Sequence, residues 1–330
     1  MVLKIDNLIE IDRYLKDRKW INESDAILKV EKPGDGNMNF TLRVYLSSGK
    51  TCIIKQSKEF VEKYPSISAP ANRSIIEGKF YEFTQANPKI KAFMPSLIGL
   101  DEVNNIIALQ DLGASSDFSF LYKPNQKIEK EQVVEIISFL NELHIGFKDG
   151  FHPPIFENKE MRALNHEHIF VYPFMEENGF DLNGVLPGLQ KEALLFKKDT
   201  ELKSIIHNLG EVYLSDGPCL LHGDFYPGSF LKTDKGIKII DPEFCFFGFA
   251  EFDLGVFIAH LKLSEQSQEL IDLAYNSYEK REDFNMKLLN QFVGIEILRR
   301  IIGLAQLPLT STLQTRVSLC EEAKKLLMNP

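Results

Sequence analysis

The stretch Leu221-His222-Gly223-Asp224-Phe225-Tyr226-Pro227-Gly228-Ser229 is followed by Ile239-Ile240-Asp241-Pro242-Glu243-Phe244. An acid beside a glycine, then an acid pair at the end of an apolar run seventeen residues later, puts carboxylates on both limbs of a strand hairpin. Such a layout would suit phosphoryl transfer, which is mostly positioning plus charge neutralisation. One carboxylate meets the attacking hydroxyl, and others hold the divalent cation that bridges the phosphates. Mg²⁺ takes hard oxygen ligands and keeps several waters, so one or two carboxylates suffice. Taken singly, Gly-Asp is a turn and Asp-Pro-Glu a helix start. It is their order and spacing, with Ile237-Lys238-Ile239-Ile240 between them, that favour chemistry.

The N-terminal third adds a second set. Gly34-Asp35-Gly36-Asn37-Met38-Asn39-Phe40 falls between two apolar segments, where glycines let backbone amides approach phosphate closely. A hairpin turn would use the same residues, and no Gly-Lys-Ser/Thr follows, so this is not a Walker A loop. Lys55 lies inside the apolar run Ile53-Ile54-Lys55. A buried ammonium needs a partner, and Glu77 in the next helical segment is the natural one. Such a Lys–Glu pair holds nucleotide α- and β-phosphates in kinases; the alternative is a snorkelling lysine on an edge strand. A third feature is Gly294-Ile295-Glu296-Ile297-Leu298-Arg299-Arg300-Ile301-Ile302. Consecutive helical residues point ~100° apart, so Arg299 and Arg300 cannot both reach water from a buried helix. They need either a hydroxyl-rich or phosphoryl ligand, or acids such as Glu296.

The elements that would carry these residues are legible. Ala26 to Val30, Asn39 to Leu46, Lys50 to Gln56, Ser96 to Leu100 and Asn105 to Gln110 read as strands, with Ser48-Gly49 as a hairpin turn. Asn72 to Ala86 reads as a helix with Ile75, Ile76, Phe80 and Phe83 on one face. Glu131 to Phe147 and Gln190 to Leu214 read as amphipathic helices. Short strands interrupt the helical pattern from Asp216 to Phe249. This predicts an α+β chain of two unequal lobes, a small N-terminal antiparallel-sheet lobe (1–111) and a larger, mainly helical C-terminal lobe (112–330), with a ligand expected between them.

Composition narrows the class. The 330 residues carry 38 Lys and Arg against 47 Asp and Glu, a net charge of −9. Such a balance disfavours nucleic acid. Cys52, Cys219, Cys245 and Cys320 are too scattered for a disulfide framework or zinc site. No stretch approaches the ~18 apolar residues of a membrane span, and the early Asp6 argues against a signal peptide, so a cytoplasmic enzyme without membrane contact is expected. His144 and His222 read as structural, and His166 with His168 as a poor metal pair.

His-Gly-Asp followed five residues after the Asp by Ser or Asn, then an apolar strand ending in Asp-x-Glu, resembles the catalytic core of aminoglycoside phosphotransferases, choline kinases and methylthioribose kinases. Asp35-Gly36-Asn37-Met38-Asn39-Phe40, Gly228-Ser229, Phe252-Asp253-Leu254-Gly255 and the twin arginines bring the resemblance nearest to methylthioribose kinase. It implies a protein-kinase-like fold and transfer of the ATP γ-phosphate to a hydroxyl of a small molecule, methylthioribose or a related sugar. By the same resemblance Asp224 is the catalytic base. Asp241, Glu243 and Ser229 stand at the Mg²⁺ site. Gly36, Asn37, Asn39, Lys55 and Glu77 hold the nucleotide, backbone groups around Gln110 and Leu112 meet adenine, Asp253 braces the catalytic loop, and Arg299 and Arg300 contact the sugar. The chain departs from that family between Lys55 and Glu77, where a longer Trp-containing loop is missing; its one tryptophan is Trp20. Choline, amino-alcohol or aminoglycoside acceptors, and a non-catalytic nucleotide-binding module, remain the alternatives, and a homodimer stays open as its assembly.

Overall fold

Alternation of apolar and polar residues builds a five-stranded antiparallel sheet in the N-terminal third. The computed structural model describes residues 2–34, 38–147 and 151–330. Strands β1 (Ile27–Glu31), β2 (Phe40–Leu46), β3 (Thr51–Gln56), β6 (Leu97–Asp101) and β7 (Ile106–Gln110) lie in the order β1-β2-β3-β7-β6. Ile54 on β3 joins Leu42, Val44 and Ile106 in a core closed by helix α1 (Leu8–Asp17). Ile11 and Leu15 of α1 are fully buried there, each contributing about 1.5–3 kcal/mol by leaving water. Lys55 follows Ile54 and therefore takes the opposite face, opposite Ile107 in register. Helix α2 (Arg73–Thr84) covers that face, with Gly78 against Leu100 and Ile107.

All five expected strands form, within a residue or two at their ends. Three features of this unit lay outside the sequence reading: α1, the short helix α3 (Pro88–Ala92), and a small hairpin, β4 (Phe60–Val61) with β5 (Tyr64–Ser68), between Lys55 and Glu77.

The chain forms two units, one running through Ser116 with Leu231–Cys245 added, the other comprising Asp117–Phe230 and Phe246–Pro330. This differs from the expected division at 111/112. The boundary falls five residues later, and the acidic hairpin segment groups with the N-terminal sheet. Ile239 N–H donates to the Phe93 carbonyl at 2.7 Å, and Asp241 meets Lys55, so the segment is tied to α3 and β3. Strand β8 (Ser116–Asp117) marks the chain's passage from one unit to the other, and β10 (Phe230–Thr233) with β11 (Gly236–Ile239) its return.

The second unit is built on helices α4 (Lys130–Gly146), α5 (Lys159–His166), α6 (Leu189–Lys197), α7 (Thr200–Leu214), α8 (Glu251–Leu263), α9 (Gln268–Ser277), α10 (Met286–Ile302) and α11 (Leu313–Met328). Residues 190–214, expected as one helix, are two. Asp199 caps α7 by accepting the Leu202 N–H at 3.0 Å, and a cap of this kind starts a new helix instead of continuing the old one. Helix α8 is buried nearly throughout, its Glu251, Asp253 and His260 included. It approaches α10 at Gly255, where a Cβ would fall 2.8 Å from that of Phe292. Strands β9 (Cys219–Leu221) and β12 (Phe246–Gly248) pair antiparallel beside them. No helix among the described residues is long and apolar enough to cross a membrane.

Candidate active site

Lys55 is 8% exposed. Its ammonium donates to Glu77 Oε1 at 2.7 Å and to Asp241 Oδ1. Burial alone would favour the neutral amine, but Asp241 and Glu77 outweigh it and hold the group above the ordinary lysine value. Glu77 is fully buried, and burial pushes its carboxyl up. Asp241 ends the run from β11 in the left-handed region at φ +64°, a conformation that costs a non-glycine residue about 1–3 kcal/mol. The turn Pro242–Phe244 that follows carries Glu243. Its Oε2 accepts from Asn39 Nδ2 at 2.9 Å and lies 3.6 Å from Arg73 Nε. Burial pushes Glu243 up to about 8; Arg73 opposes this, while Glu77 and Asp241 reinforce it.

Three carboxylates thus share two cations within this unit. Two acceptors, Asn39 Oδ1 and Glu77 Oε2, are buried without a hydrogen-bond partner among the described residues. Hard oxygen acceptors with spare lone pairs suit a divalent cation held by one or two carboxylates, which would draw Glu243 back to its charged form, although the described residues gather no group of three acidic, histidine or cysteine side chains that could hold one. Gly36 and Asn37 lie outside the described residues. Gln110 ends β7, its N–H donating to the Ser96 carbonyl at 2.8 Å, and Leu112 lies just beyond.

Arg73, passed over in the sequence, organises this half. It is fully buried and donates to the carbonyls of Lys58 (2.5 Å), Pro70 (2.8 Å), Met38 (2.6 Å) and Phe60 (3.0 Å). One guanidinium therefore ties the β4–β5 hairpin to the segment leading into β2. Its only sequence signal was an arginine opening a largely apolar helix.

In the second unit, Gly223 turns the loop after β9 at φ +84°, which glycine adopts without strain. Asp253, on the first turn of α8, accepts the N–H groups of His222 (2.7 Å) and Gly223 (3.0 Å). This is the bracing geometry expected of it. His144 stands 3.3 Å from the same carboxylate and 2.9 Å from Tyr278 Oη, buried and structural. Ser229 Oγ donates to the Asp224 carbonyl at 2.8 Å, spending its proton and leaving its lone pairs.

Asp224 faces α10. Arg300 Nη2 lies 3.6 Å and Arg299 Nη2 3.9 Å from its Oδ1. Burial raises its carboxyl above the usual range, although Arg300 and Arg299 pull it back. A carboxylate made more basic yet kept among cations suits a proton acceptor. The arginines are 5% and 7% exposed, and their Nε atoms both bind Glu296, Arg300 at 2.7 Å. Acids therefore partner both arginines: Glu296 anchors the inner nitrogens, and the outer nitrogens lie towards Asp224. Burial favours a neutral Glu296, but the two guanidinium groups hold it well below the usual carboxylate range.

Behind Glu296 lies a chain that the sequence reading missed. His260 Nε2 is 3.0 Å from Glu296 Oε1, and His260 Nδ1 is 2.6 Å from Tyr122 Oη. The Arg300 guanidinium stacks 4.9 Å from the Tyr226 ring centre. A histidine in the otherwise apolar run Leu254–Leu261 was the available signal.

The fructosamine kinase family matches residues 188–285, which contain Asp224, Asp241, Glu243, Asp253 and His260. Methylthioribose kinase from Exiguobacterium sibiricum is 27% identical over 80% of this chain and 66% of its own length. Methylthioribose kinase 1 from Oryza sativa subsp. japonica is 28% identical over 73% of this chain and 57% of its own length. The chain thus spans less than two thirds of these two relatives. Among solved structures, choline kinase from Cryptosporidium parvum superposes with a TM-score of 0.56 at 15% identity, covering 97% of this chain and 93% of that one. The gentamicin–APH(2″)-IIa complex gives 0.55 at 14%, covering 100% and 98%. At such identities the likeness is one of fold.

Proposed function

We propose that this chain is a methylthioribose kinase-like member of the aminoglycoside phosphotransferase and choline kinase superfamily, and that it transfers the ATP γ-phosphate to a hydroxyl of methylthioribose or a closely related sugar. The observation that carries this reading is the pairing of Asp224 with the outer nitrogens of Arg299 and Arg300. Asp224 accepts the hydroxyl proton as the oxygen attacks. The arginine forks offer fixed donors to vicinal hydroxyls and to phosphoryl oxygens, which a lysine point charge would not. A quaternary ammonium or polyamine acceptor would meet two guanidinium charges, so choline and aminoglycosides are disfavoured.

Lys55, oriented by Glu77, holds nucleotide phosphates in this scheme, with Gly36, Asn37 and Asn39 also assigned to the nucleotide and the backbone at Gln110 and Leu112 to adenine. Asp241 and Glu243 would hold magnesium, which supplies charge neutralisation at the phosphates when bound. The enzyme is expected to work free of membranes and nucleic acid.

A screen of ATP consumption tests this. Methylthioribose, other pentoses, fructosamine, choline and an aminoglycoside are each supplied as acceptor with Mg²⁺. Turnover with methylthioribose or a near analogue at a kcat/KM at least ten-fold above choline is expected. Preference for choline or the aminoglycoside would overturn the acceptor assignment, and no turnover with any alcohol would favour the non-catalytic module.

A further inference from the structure

A chain of groups with no part in the scheme above stands behind the arginines. Glu296 is a hub: one carboxylate, 1% exposed, binds both Nε atoms and is approached by His260. Because Glu296 is held ionised, it can only accept, so the hydrogen between it and His260 belongs to His260 Nε2. The other ring nitrogen then accepts from the Tyr122 hydroxyl. The ring is neutral, since burial presses its pKa down to about 4 against the opposing pull of the Glu296 hydrogen bond. His260 is also fully buried, within 5.4 Å of the Tyr226 ring on which Arg300 stacks.

A carboxylate bound by two guanidinium groups has more than one way to share its oxygens. The Arg300 Nε–H and the His260 Nε2–H both take Oε1, while the Arg299 Nε–H takes Oε2. The imidazole donor fixes which way the carboxylate plane turns, and so where each arginine fork points. We propose that His260, oriented by Tyr122, is a positioning residue for the acceptor site: it locks Glu296 in the single rotation that aims the outer nitrogens of Arg299 and Arg300 at the space facing Asp224. The consequence for catalysis rests on the kinase reading above; the locking itself does not.

The test separates the two. In protein labelled with ¹⁵N-arginine, the Nε–H resonances of Arg299 and Arg300 report whether each is held by Glu296. They are expected to be sharp and protected from exchange in the wild type. In His260→Leu they should broaden and exchange about ten-fold faster or more, the loss expected when one hydrogen bond to a charged group is removed. Gln keeps an N–H donor and an acceptor, and His260→Gln should restore protection; Tyr122→Phe, which removes one hydroxyl, should give an intermediate result and is the variant to use if His260→Leu does not fold. Unchanged arginine signals in both His260→Leu and Tyr122→Phe overturn the proposal, whatever the acceptor is. With the best acceptor from the screen, the acceptor KM should rise about ten-fold or more in His260→Leu and recover in His260→Gln, while the MgATP dissociation constant stays within two-fold. Loosened arginines with an unmoved acceptor KM would leave the lock in place and remove Arg299 and Arg300 from the acceptor site.

Discussion

Replacing Glu296 by Gln removes the hub of the arginine cluster while keeping its shape. The wild-type carboxylate is 1% exposed and neutralises one of two guanidinium charges that are themselves 5% and 7% exposed. Without it, two buried cations share only Asp224, whose Oδ1 is 3.6 and 3.9 Å away. Breaking a buried pair by removing one partner costs about 3–5 kcal/mol. Spread over a unit of roughly 200 residues, at about 2–4 °C per kcal/mol, this lowers the melting temperature of the second unit by about 6–20 °C. Removing a single arginine leaves Glu296 still bound to the other and to His260, so Arg299→Ala and Arg300→Ala should each cost less than Glu296→Gln. Calorimetric melts of the three variants in one buffer give the order directly. If Glu296→Gln melts within 2 °C of wild type, or if either arginine variant melts lower than it, Glu296 is not the hub.

Further outcomes are expected. Asp224→Asn should reduce turnover ~10²–10⁴-fold while calorimetry finds MgATP binding intact; near-wild-type turnover would remove the base assignment. Asp241→Asn should abolish the gain in ATP affinity that Mg²⁺ confers on the wild type, and Lys55→Met should weaken ATP binding with or without the metal, both read by titration. Asp253→Ala leaves the His222 and Gly223 N–H groups orphaned, at about 1–3 kcal/mol each, and should lower both turnover and melting temperature. His260 has its pKa depressed in the folded protein from 6.5 to about 4, so its contribution is complete above pH 6.5 and is lost as pH falls towards 4. That difference amounts to about 3 kcal/mol, and melts across pH 7 to 4 should fall less steeply for His260→Gln than for wild type.

Periodicity and spacing in the sequence determined much of this. The five strands follow from period-2 runs bounded by turn formers, because the side chains of a strand alternate faces. Lys55 next to Ile54 had to face away from the core, and a lysine buried there demanded an acid, which Glu77 supplies. Asp224, Asp241, Glu243 and Asp253 stood out by their order, their spacing and the resemblance to a known catalytic core, and Arg299 with Arg300 as charges inside an apolar run, which has few cheap explanations.

Local pattern could not determine how distant segments close on one another. Nothing near residues 231–245 announces that they group with a sheet formed two hundred residues earlier; that depends on Phe93 and Lys55 being in reach. Nor does sequence say that Arg73 holds four carbonyls from separate segments, or that His260 and Tyr122 stand behind the Glu296 that serves both arginines. A buried charge announces that it needs a partner. Which partner it finds depends on contacts such as that of α8 and α10 at Gly255, set by packing between elements far apart in the chain.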